Sequence, residues 1–302
     1  MKIIQPSVKI LKQEPGIEGI YKQIEQAGRA CYASQHKIGE GTARPFVDML
    51  IKRGHLAMLE HGAVYLQTPY DEWIELVFKD NPYSRAYPFH ETGSLFVTTN
   101  LRVLVENDLM DLLKYVVEPG SMHDLRVTAR FQCQIAISRE YNRHRADSIA
   151  EQSTRFCNYS KERFGNEIKI CLPKLPFERD EDSELLLNAK HLDQTLFRKY
   201  CTLIATLSDS CMTAIDYWLF ANFAAEYSYM KLIELGWQAQ QARTVLPLDT
   251  STDLVHTAYI SDWMHFFDLR CDNAAHPDAR YLANQLRQMF LDEKYIYERE
   301  DE

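Results

Sequence analysis

The feature that most constrains the fold is a long region of helical periodicity in the second half of the chain. From residue 183 to residue 235 apolar side chains recur at helical spacing and proline is absent. Such a run is longer than one globular helix usually is, so we predict two long helices with a break at residues 208–210. Gly236 is expected to end the second helix, because glycine adopts the left-handed conformation that closes many helices. The rest of the chain must therefore supply a surface against which two long helices pack.

The remainder of the chain alternates between strand and helix patterns. Residues 70–92 are rich in proline, tyrosine and charge, and we expect them to be irregular. Ser148 and Glu151 have the spacing of a capping box, which predicts that a helix begins there. The predicted strands are residues 1–12, 63–68, 94–99 and 125–137, and the predicted helices are residues 17–32, 43–53, 101–117, 237–243, 261–269 and 278–294. These patterns predict one α+β domain over residues 1–302, with a mixed or antiparallel sheet flanked by long helices.

Composition narrows the partners that the chain can bind. Lys and Arg number 34 against 43 Asp and Glu, which gives a net charge of −9. That charge disfavours broad contact with nucleic acid or anionic membranes, so any bound anion needs a local cluster of positive side chains. The seven cysteines are scattered and include no CxxC pair, which predicts reduced thiols and no metal site. Since we find no secretory signal and no membrane-spanning run, we expect a cytoplasmic protein.

Residues 143–156 concentrate positive charge in this acidic chain. Arg143, Arg145 and Arg155 occur here together with a histidine. Guanidinium groups present planar forks that match phosphate oxygens, and grouping several is costly unless an anion offsets their repulsion. The alternative is a solvated helix start in which the three arginines pair with nearby carboxylates. Charge pattern alone favours that alternative, because surface ion pairs are common. The carboxylates in question are those of Asp147, Glu140 and Glu151.

The same segment resembles a motif of the flavin-dependent thymidylate synthases, RHRxxSxNExSxRY. It departs from that motif at Ala150, where asparagine is usual, and at Phe156, where tyrosine is usual. The matching positions are Arg143, His144, Arg145, Ser148, Glu151, Ser153 and Arg155. Further segments resemble family motifs in the family's order: residues 54–61 (GHxxxxEH), 241–248 (ARxVLPL), 265–270 (HFxxLR) and 275–280 (a degenerate AQxEIR). Several motifs in one order are far more specific than a single short match.

This resemblance implies an activity and its cofactors. It implies reductive methylation of dUMP to dTMP, with 5,10-methylenetetrahydrofolate as carbon donor and with FAD, reduced by NADPH, as the hydride source. It also implies a homotetramer whose subunits share active sites. No protein nucleophile is required, and the chain lacks the Pro-Cys-His motif that flavin-free thymidylate synthases carry. Ser153 has no evident base beside it, so we expect it to form hydrogen bonds.

The resemblance further implies roles for individual residues. Arg270 is expected to face the uracil edge and to act in catalysis, because a guanidinium there stabilises charge that develops as C5 becomes nucleophilic. Glu140 stands where relatives often have glutamine. The residues expected to hold FAD and to border the folate are His55, Ala57, Glu60, Arg143, His144, Arg145, Glu151 and His265. The residues expected to hold dUMP are Glu140, Arg143, Glu151, Ser153, Thr154, Arg155, Arg243 and Arg270.

Other positions leave a second function open. We expect residues 71–126 to be an insertion, because the stretch between His61 and Arg143 is longer than in compact relatives. We assign it no chemistry. Tyr259 and Ser261 stand at two positions that often contact FAD in relatives. Together with the two motif departures, they support an alternative in which a nucleotide- or flavin-binding relative has lost methyl transfer and acts as a regulator or scaffold. An RNA-binding role is disfavoured by the net charge.

Overall fold

The computed structural model describes residues 1–174 and 213–297, together with Thr195, Arg198, Cys201 and Thr202. The strands are β1 (Lys2–Ile4), β2 (Ser7–Leu11), β3 (Ala63–Pro69), β4 (Arg85–Phe89), β5 (Ser94–Asn100), β6 (Arg126–Gln134), β7 (Ser148–Glu151), β8 (Lys169–Cys171) and β9 (Ser251–Tyr259). The helices are α1 (Gly16–Cys31), α2 (Ala43–Lys52), α3 (Glu72–Lys79), α4 (Leu101–Glu106), α5 (Ile135–Tyr141), α6 (Ala214–Glu234), α7 (Ala239–Ala242), α8 (Ile260–Arg270) and α9 (Pro277–Asp292). Short 3-10 helices cover Gln35–Lys37, Leu56–His61, Met110–Tyr115, Glu162–Phe164 and Arg243–Val245.

The described strands form antiparallel sheets and one short parallel pair. A four-stranded antiparallel sheet has the order β2-β6-β9-β7, and a three-stranded antiparallel sheet has the order β3-β5-β4. β1 and β8 pair in parallel. These sheets, with helices packed against them, confirm the predicted α+β class with mixed or antiparallel strands. No helix within the described ranges has both the length and the apolar character needed to cross a membrane.

β9 is the buried centre of the four-stranded sheet. Every residue of this strand is buried. Leu254 and Ala258 pack in one core with Trp263 of α8, whereas Val255 packs in another core with Ala27 of α1. Side chains alternate between the faces of a strand, so the two helices cover opposite faces of β9. Full burial of an aromatic or aliphatic side chain contributes about 1.5–3 kcal/mol, which makes β9 the firmest platform for a site.

Many of the predicted elements are confirmed. The helices predicted at 17–32, 43–53, 261–269 and 278–294 are α1, α2, α8 and α9, and the strands predicted at 63–68, 94–99 and 125–137 are β3, β5 and β6, although β6 ends at Gln134. Residues 1–12 contain two strands, and residues 237–243 contain only the short α7 before a 3-10 turn. α6 confirms the second long helix, and Gly236 follows it with a φ of +92°. The first long helix and the break at 208–210 lie outside the described residues.

The prediction that residues 70–92 are irregular is wrong. They contain α3 and β4. Asp71 caps α3, because its side chain accepts the backbone N–H of Ile74 at 3.0 Å. β4 lies at the edge of its sheet, where Pro88 is tolerated because the outer side of an edge strand needs no ladder donor. Composition alone therefore failed to predict the regular structure of residues 70–92.

Two helix predictions are also wrong in extent or type. The helix predicted over 101–117 is interrupted: α4 ends at Glu106, Asp108 has a φ of +55°, and a 3-10 helix follows. The capping box at Ser148 and Glu151 begins the strand β7 instead of a helix. Ser148 is buried opposite Thr257 of β9, and its hydroxyl accepts from Arg126 at 3.0 Å. Pairing with β9 satisfies the backbone groups that a local cap would otherwise serve.

Residues 71–126 are structurally continuous with the rest of the fold. β5, which lies within them, pairs with β3, which lies outside them, along the whole of both strands. Leu95 and Val97 of β5 belong to the same core as Ile24 of α1 and Leu50 of α2. That this segment is an insertion stays a prediction, but it does not fold as a separate unit.

Candidate active site

The arginine-rich segment lies between α5 and the edge strand β7. Backbone hydrogen bonds from His144 to Tyr141 (3.1 Å) and from Asp147 to His144 (3.2 Å) fold residues 142–147 into successive turns. In this arrangement Arg143 and Arg145 are exposed, whereas His144 is buried. The turns thus direct two guanidinium groups outward on either side of a buried imidazole.

Arg270 joins the end of α8 to α5 and to the buried imidazole. Its Nε donates to His144 Nε2 at 3.1 Å, Nη1 donates to Glu140 Oε2 at 3.1 Å, and Nη2 donates to the Glu140 carbonyl at 2.7 Å. The side chain of Arg270 is 15% exposed and that of Glu140 is 32% exposed. A guanidinium fork fixed by three hydrogen bonds keeps its plane in one orientation while its edge still reaches solvent. The predicted neighbours Arg270, Glu140 and His144 are therefore brought together.

His144 is held in its neutral form. Burial, together with the nearby charges of His256 and Arg270, lowers the pKa of His144 to about 4. A neutral imidazole can accept the Arg270 N–H at Nε2 only if its own proton is on Nδ1. Its ring centroid lies 5.0 Å from that of Phe266 and 6.0 Å from that of His265, another predicted site residue, which is exposed. His144 therefore acts here as a hydrogen-bond acceptor that orients Arg270.

A second histidine supports this cluster from the core. His256 Nε2 lies 2.6 Å from Asp147 Oδ2, and both side chains are almost completely buried. The His256 ring is 4.4 Å from that of Trp263 and 6.3 Å from that of His144. Sequence reasoning missed this pair, although Asp147 lies inside the motif and His256 is the one histidine of β9. The pair joins the residue before β7 to β9, close to His144.

The structure does not contain the ion pairs that would make the arginine cluster an ordinary solvated surface. Each carboxylate proposed as a partner is engaged elsewhere: Glu140 by Arg270, Asp147 by His256, and Glu151 by Ser138 (2.6 Å) and Asn142 (2.9 Å). Within the described part of the chain, the side chains of Arg143, Arg145 and Arg155 form no salt bridge, and all of them are exposed. A group of exposed, unpaired guanidinium groups is suited to binding an anionic ligand.

Thr154 and Arg243 meet although they are far apart in sequence. Arg243 Nη1 donates to Thr154 Oγ1 at 3.2 Å. The backbone N–H of Ser153 donates to the Cys31 carbonyl at 3.0 Å, and Ser153 Oγ accepts from the backbone N–H of Arg155 at 3.3 Å. This segment is thereby tied to the end of α1 while the guanidinium groups of Arg155 and Arg243 remain exposed. Both groups are available for a phosphate or ribose.

The GHxxxxEH segment approaches the motif through one partly buried arginine side chain, that of Arg126. Arg126 of β6 donates from Nη1 to the Glu60 carbonyl at 2.9 Å and from Nη2 to Ser148 Oγ at 3.0 Å. The Glu60 carboxylate pairs with Arg102 at 2.6 Å. His55, which caps the 3-10 helix Leu56–His61, and Ala57, which lies in it, are exposed, and within the described ranges neither side chain has a hydrogen bond to another predicted site residue. The structure thus places the Glu60 backbone near β7 and leaves His55 and Ala57 facing solvent.

Tyr259 and Ser261 are engaged by the segment to which we assigned no chemistry. Arg85 of β4 donates to Ser261 Oγ at 2.7 Å, and its guanidinium carbon lies 4.0 Å from the Tyr259 ring centroid. The Tyr259 hydroxyl lies 3.1 Å from the carbonyl oxygens of Tyr83 and Thr98. Residues 71–126 therefore place the guanidinium of Arg85 against Tyr259 and Ser261.

The candidate site is separate from a cavity that the described residues form elsewhere. A cavity of about 280 Å³ is lined by residues 10–16, 116–119 and 125–128, with Tyr65 and Tyr295, and contains none of the predicted site residues. The predicted site residues instead include several exposed arginines and the partly exposed Arg270. The candidate site is therefore identified by the hydrogen-bonded cluster of Arg270, Glu140 and His144 and by the unpaired arginines, not by an enclosed volume.

Comparisons with known proteins agree with the motifs. The sequence model of the family described as thymidylate synthase complementing protein matches residues 96–293. A probable flavin-dependent thymidylate synthase of Paramecium bursaria Chlorella virus 1 is 35% identical over 65 residues, which cover 22% of this chain and 30% of that protein. A flavin-dependent thymidylate synthase of Synechocystis sp. is 33% identical over 63 residues, 21% of this chain and 29% of that protein. These matches thus span less than a third of either relative.

Solved structures are also similar, and one of them is a UMP/dUMP methylase from Streptomyces cacaoi bound with 5-Br dUMP. The match has 16% sequence identity, covers 97% of this chain and 93% of that chain, and has a TM-score of 0.39. At this TM-score the likeness supports no conclusion about the present chain.

Proposed function

Because the chain belongs to the thymidylate synthase complementing protein family of flavin-dependent thymidylate synthases, we propose that it converts dUMP to dTMP by reductive methylation. The carbon donor in this proposal is 5,10-methylenetetrahydrofolate, and NADPH reduces the flavin. The observation that carries the proposal is the fixed fork of Arg270 on Glu140 and His144, in a chain whose motif arginines are exposed and form no salt bridge among the described residues. One positioned cation and several free ones suit a substrate with a polarisable base and a phosphate.

The proposed phosphate and ribose site uses the segment around Thr154. Arg243 is already oriented by Thr154, and Arg155 is exposed two residues after Ser153. Guanidinium forks bind phosphate oxygens in pairs, so these two side chains can hold the dUMP phosphate without further neutralisation. Glu151 is fixed by Ser138 and Asn142, and we propose that its carboxylate accepts a hydrogen bond from the nucleotide.

The residues present fit FAD on chemical grounds. Arg143 and Arg145 are exposed, unpaired donors beside His144, which matches the two charges of a pyrophosphate. We propose that they hold FAD together with His55, Ala57, Glu60 and His265. When bound, FAD supplies the hydride that completes the methyl group. The chain itself binds and orients the reactants and stabilises charge.

Arg270 is proposed to stabilise negative charge on the pyrimidine edge as C5 becomes nucleophilic. Its three hydrogen bonds hold the guanidinium before substrate arrives, so little reorganisation is needed during the reaction. His144 is neutral above about pH 4 and therefore adds orientation without adding a competing positive charge.

A regulator or scaffold without methyl transfer remains the second candidate. The observation in its favour is that Arg85 and Tyr83 engage Ser261 and Tyr259, two positions proposed to contact FAD in relatives. For the enzyme, we also propose a cytoplasmic homotetramer with shared active sites, on the basis of the family resemblance.

The flavin content of the purified protein tests the proposal. We expect the protein to take up FAD, and NADPH to bleach the flavin faster when dUMP is present. The double variant Arg143→Ala/Arg145→Ala should bind FAD at least about 10-fold more weakly, because each charged hydrogen bond contributes about 1.5–3 kcal/mol. Arg139→Ala, which removes an exposed arginine just outside the motif, is the matched control.

Each outcome of that experiment separates the candidates. A protein that stays colourless in excess FAD contradicts the enzyme and the flavin-binding candidates together. A protein that binds FAD and dUMP but forms no dTMP with folate and NADPH favours the regulator or scaffold.

A further inference from the structure

Arg126 of β6 joins two segments that are far apart in the sequence. Its Nη1 donates to the Glu60 carbonyl at 2.9 Å, and its Nη2 donates to Ser148 Oγ at 3.0 Å. Glu60 lies in the 3-10 helix Leu56–His61, whereas Ser148 begins β7, three residues after Arg145. Because a guanidinium group is planar and rigid, a single group holds both acceptors at a fixed separation.

The guanidinium of Arg126 is not held by a carboxylate. Among the residues that the structure describes it forms no salt bridge, and its buried Nε has no hydrogen-bond partner. Arg130, on the same strand, instead binds both carboxylate oxygens of Asp253, at 3.1 and 2.8 Å. The Glu60 carbonyl lies in the last turn of its helix, where carbonyls lack intrahelical donors. The hydrogen bonds of the Arg126 side chain are therefore spent on joining the two segments.

The backbone of Arg126 is fixed to the central strands of the fold. Its N–H donates to the Tyr65 hydroxyl at 3.0 Å, and the residue pairs with Tyr259 of the buried strand β9. Its guanidinium carbon lies 5.5 Å from the centroid of the Tyr259 ring, and the Tyr259 hydroxyl donates to the Thr98 carbonyl at 3.1 Å. The fork therefore extends from a strand that β9 and two tyrosine side chains hold in place, so its reach is defined before any ligand binds.

We infer that Arg126 is a positioning residue for the flavin, which sets the distance between the 3-10 helix Leu56–His61 and the arginine-rich segment. The inference rests on the proposed function, in which Glu60, Arg143 and Arg145 belong to one FAD site. Arg126 acts through the backbone of Glu60 and the hydroxyl of Ser148. Without its fork the two groups of FAD contacts are free to separate, and FAD must order them as it binds, which lowers its affinity.

The dissociation constant of FAD, measured by flavin fluorescence on protein stripped of FAD, tests this inference. Arg126→Lys keeps the charge but replaces the fork by one nitrogen on a flexible stem, and we expect it to bind FAD about 10-fold more weakly. Its affinity for dUMP should be unchanged, because Arg155 and Arg243 remain. Arg130→Lys is the matched control and should keep wild-type affinity for FAD. It makes the same change four residues further along the same face of β6, where the partner is Asp253.

Hydrogen exchange on the FAD-free protein separates positioning from a general loss of stability. In Arg126→Lys the backbone N–H groups of residues 56–61 should exchange faster, while those of β9 keep their wild-type rates. Unchanged exchange at residues 56–61, wild-type affinity for FAD in Arg126→Lys, or equal weakening in Arg130→Lys overturns the inference, while dTMP formation by the wild-type protein still supports the proposed function. If folded wild-type protein binds no FAD, both fail together. Thermal melts show that each variant is folded before it is titrated.

Discussion

Arg270 gains its proposed role from partners in a distant part of the chain. Glu140 lies in the last turn of α5, His144 lies in the turn that follows, and Arg270 ends α8. A cation at a helix C-terminus is common and is favoured by the helix dipole alone. The hydrogen bonds to Glu140 and His144 distinguish Arg270 from such a cation, because they hold the fork in one plane.

Arg270→Ala should lower dTMP formation by roughly 100-fold, equivalent to about 3 kcal/mol, by analogy with the removal of an oxyanion donor. FAD content should be unchanged, because Arg143 and Arg145 remain. Steady-state turnover and flavin absorbance measured on one preparation separate these effects. Arg270→Lys is the matched control: it keeps the charge but not the fork, and we expect it to restore little activity. Near-normal turnover in Arg270→Ala would show that Arg270 is only a cation at the end of a helix and has no part in catalysis.

Buried histidines should make the free energy of unfolding depend on pH. His61 is fully buried with Nδ1 2.8 Å from Thr257 Oγ1, and burial lowers its pKa from 6.5 to about 3. The unfolded chain binds a proton below about pH 6.5, while the folded chain does so only near pH 3. This contribution is therefore fully present above pH 6.5 and is lost as pH falls towards 3. His144, with a pKa of about 4, acts in the same direction.

His61→Gln should flatten the pH dependence of the free energy of unfolding. Between pH 6.5 and pH 5, His61 should account for a loss on the order of 2 kcal/mol, and the variant should lack that loss. Urea unfolding at several pH values measures it. His36→Gln, at an exposed histidine, is the control. An identical pH dependence in wild type and His61→Gln would show that His61 does not titrate as a buried neutral group.

At the scale of elements, β7 is an edge strand to which a buried side-chain pair adds support. It has only four residues and, among the described strands, pairs with β9. Asp147, immediately before the strand, is fixed to His256 of β9 in the core. His256 Nδ1 has no partner among the described residues, so the contact with Asp147 is the one hydrogen bond of this imidazole there. This contact sets where the turn with His144 meets the sheet.

A double-mutant cycle tests the Asp147–His256 pair. Asp147→Ala leaves a buried N–H without an acceptor and should cost about 1–3 kcal/mol of stability. His256→Phe alone leaves a buried carboxylate and should cost at least as much. The double variant should recover much of the loss, because both polar groups are gone and the phenyl ring can pack on Trp263. Chemical denaturation of the four proteins gives the coupling, and additive losses would contradict it.

At the scale of the molecule, the question is whether one chain completes the site. Arg155 and Arg243 are widely separated in sequence, and a cleft between subunits is one way to bring two such residues to one ligand. The hydrogen bond from Arg243 to Thr154 now brings these parts together within one chain, so this separation no longer requires a second subunit. The shared site of a homotetramer stays a prediction from the family resemblance, and symmetric assembly would repeat it at each equivalent interface.

Mixing inactive subunits tests the shared site. Arg155→Ala and Arg270→Ala should each be inactive alone. If the two arginines of one site come from different chains, co-refolding the variants regenerates some sites with both wild-type residues, and part of the activity returns. Refolding each variant with itself is the control. Light scattering that shows a monomer, or mixtures that remain inactive, would mean that one chain supplies both arginines.

The sequence by itself determined the elements with clear periodicity and the residues of the arginine motif. Helices such as α1 and α9 depend on local apolar spacing, and a motif is by definition local. The sequence could not decide whether residues 148–151 form a helix or a strand. A capping box is a local signal, whereas the strand pairing involves residues of β9 that lie about a hundred positions further along the chain.

Only the tertiary structure decided which charges meet. Glu140 pairs with Arg270 instead of a neighbouring arginine, Asp147 pairs with His256, and Arg85 reaches Ser261 from a segment that sequence reasoning left without a role. Electrostatic and hydrogen-bonding partners are set by distance in space and by burial, neither of which is encoded in spacing along the chain. For that reason the sequence could name the arginines, while the fold determined that those of the motif are left free to bind an anion.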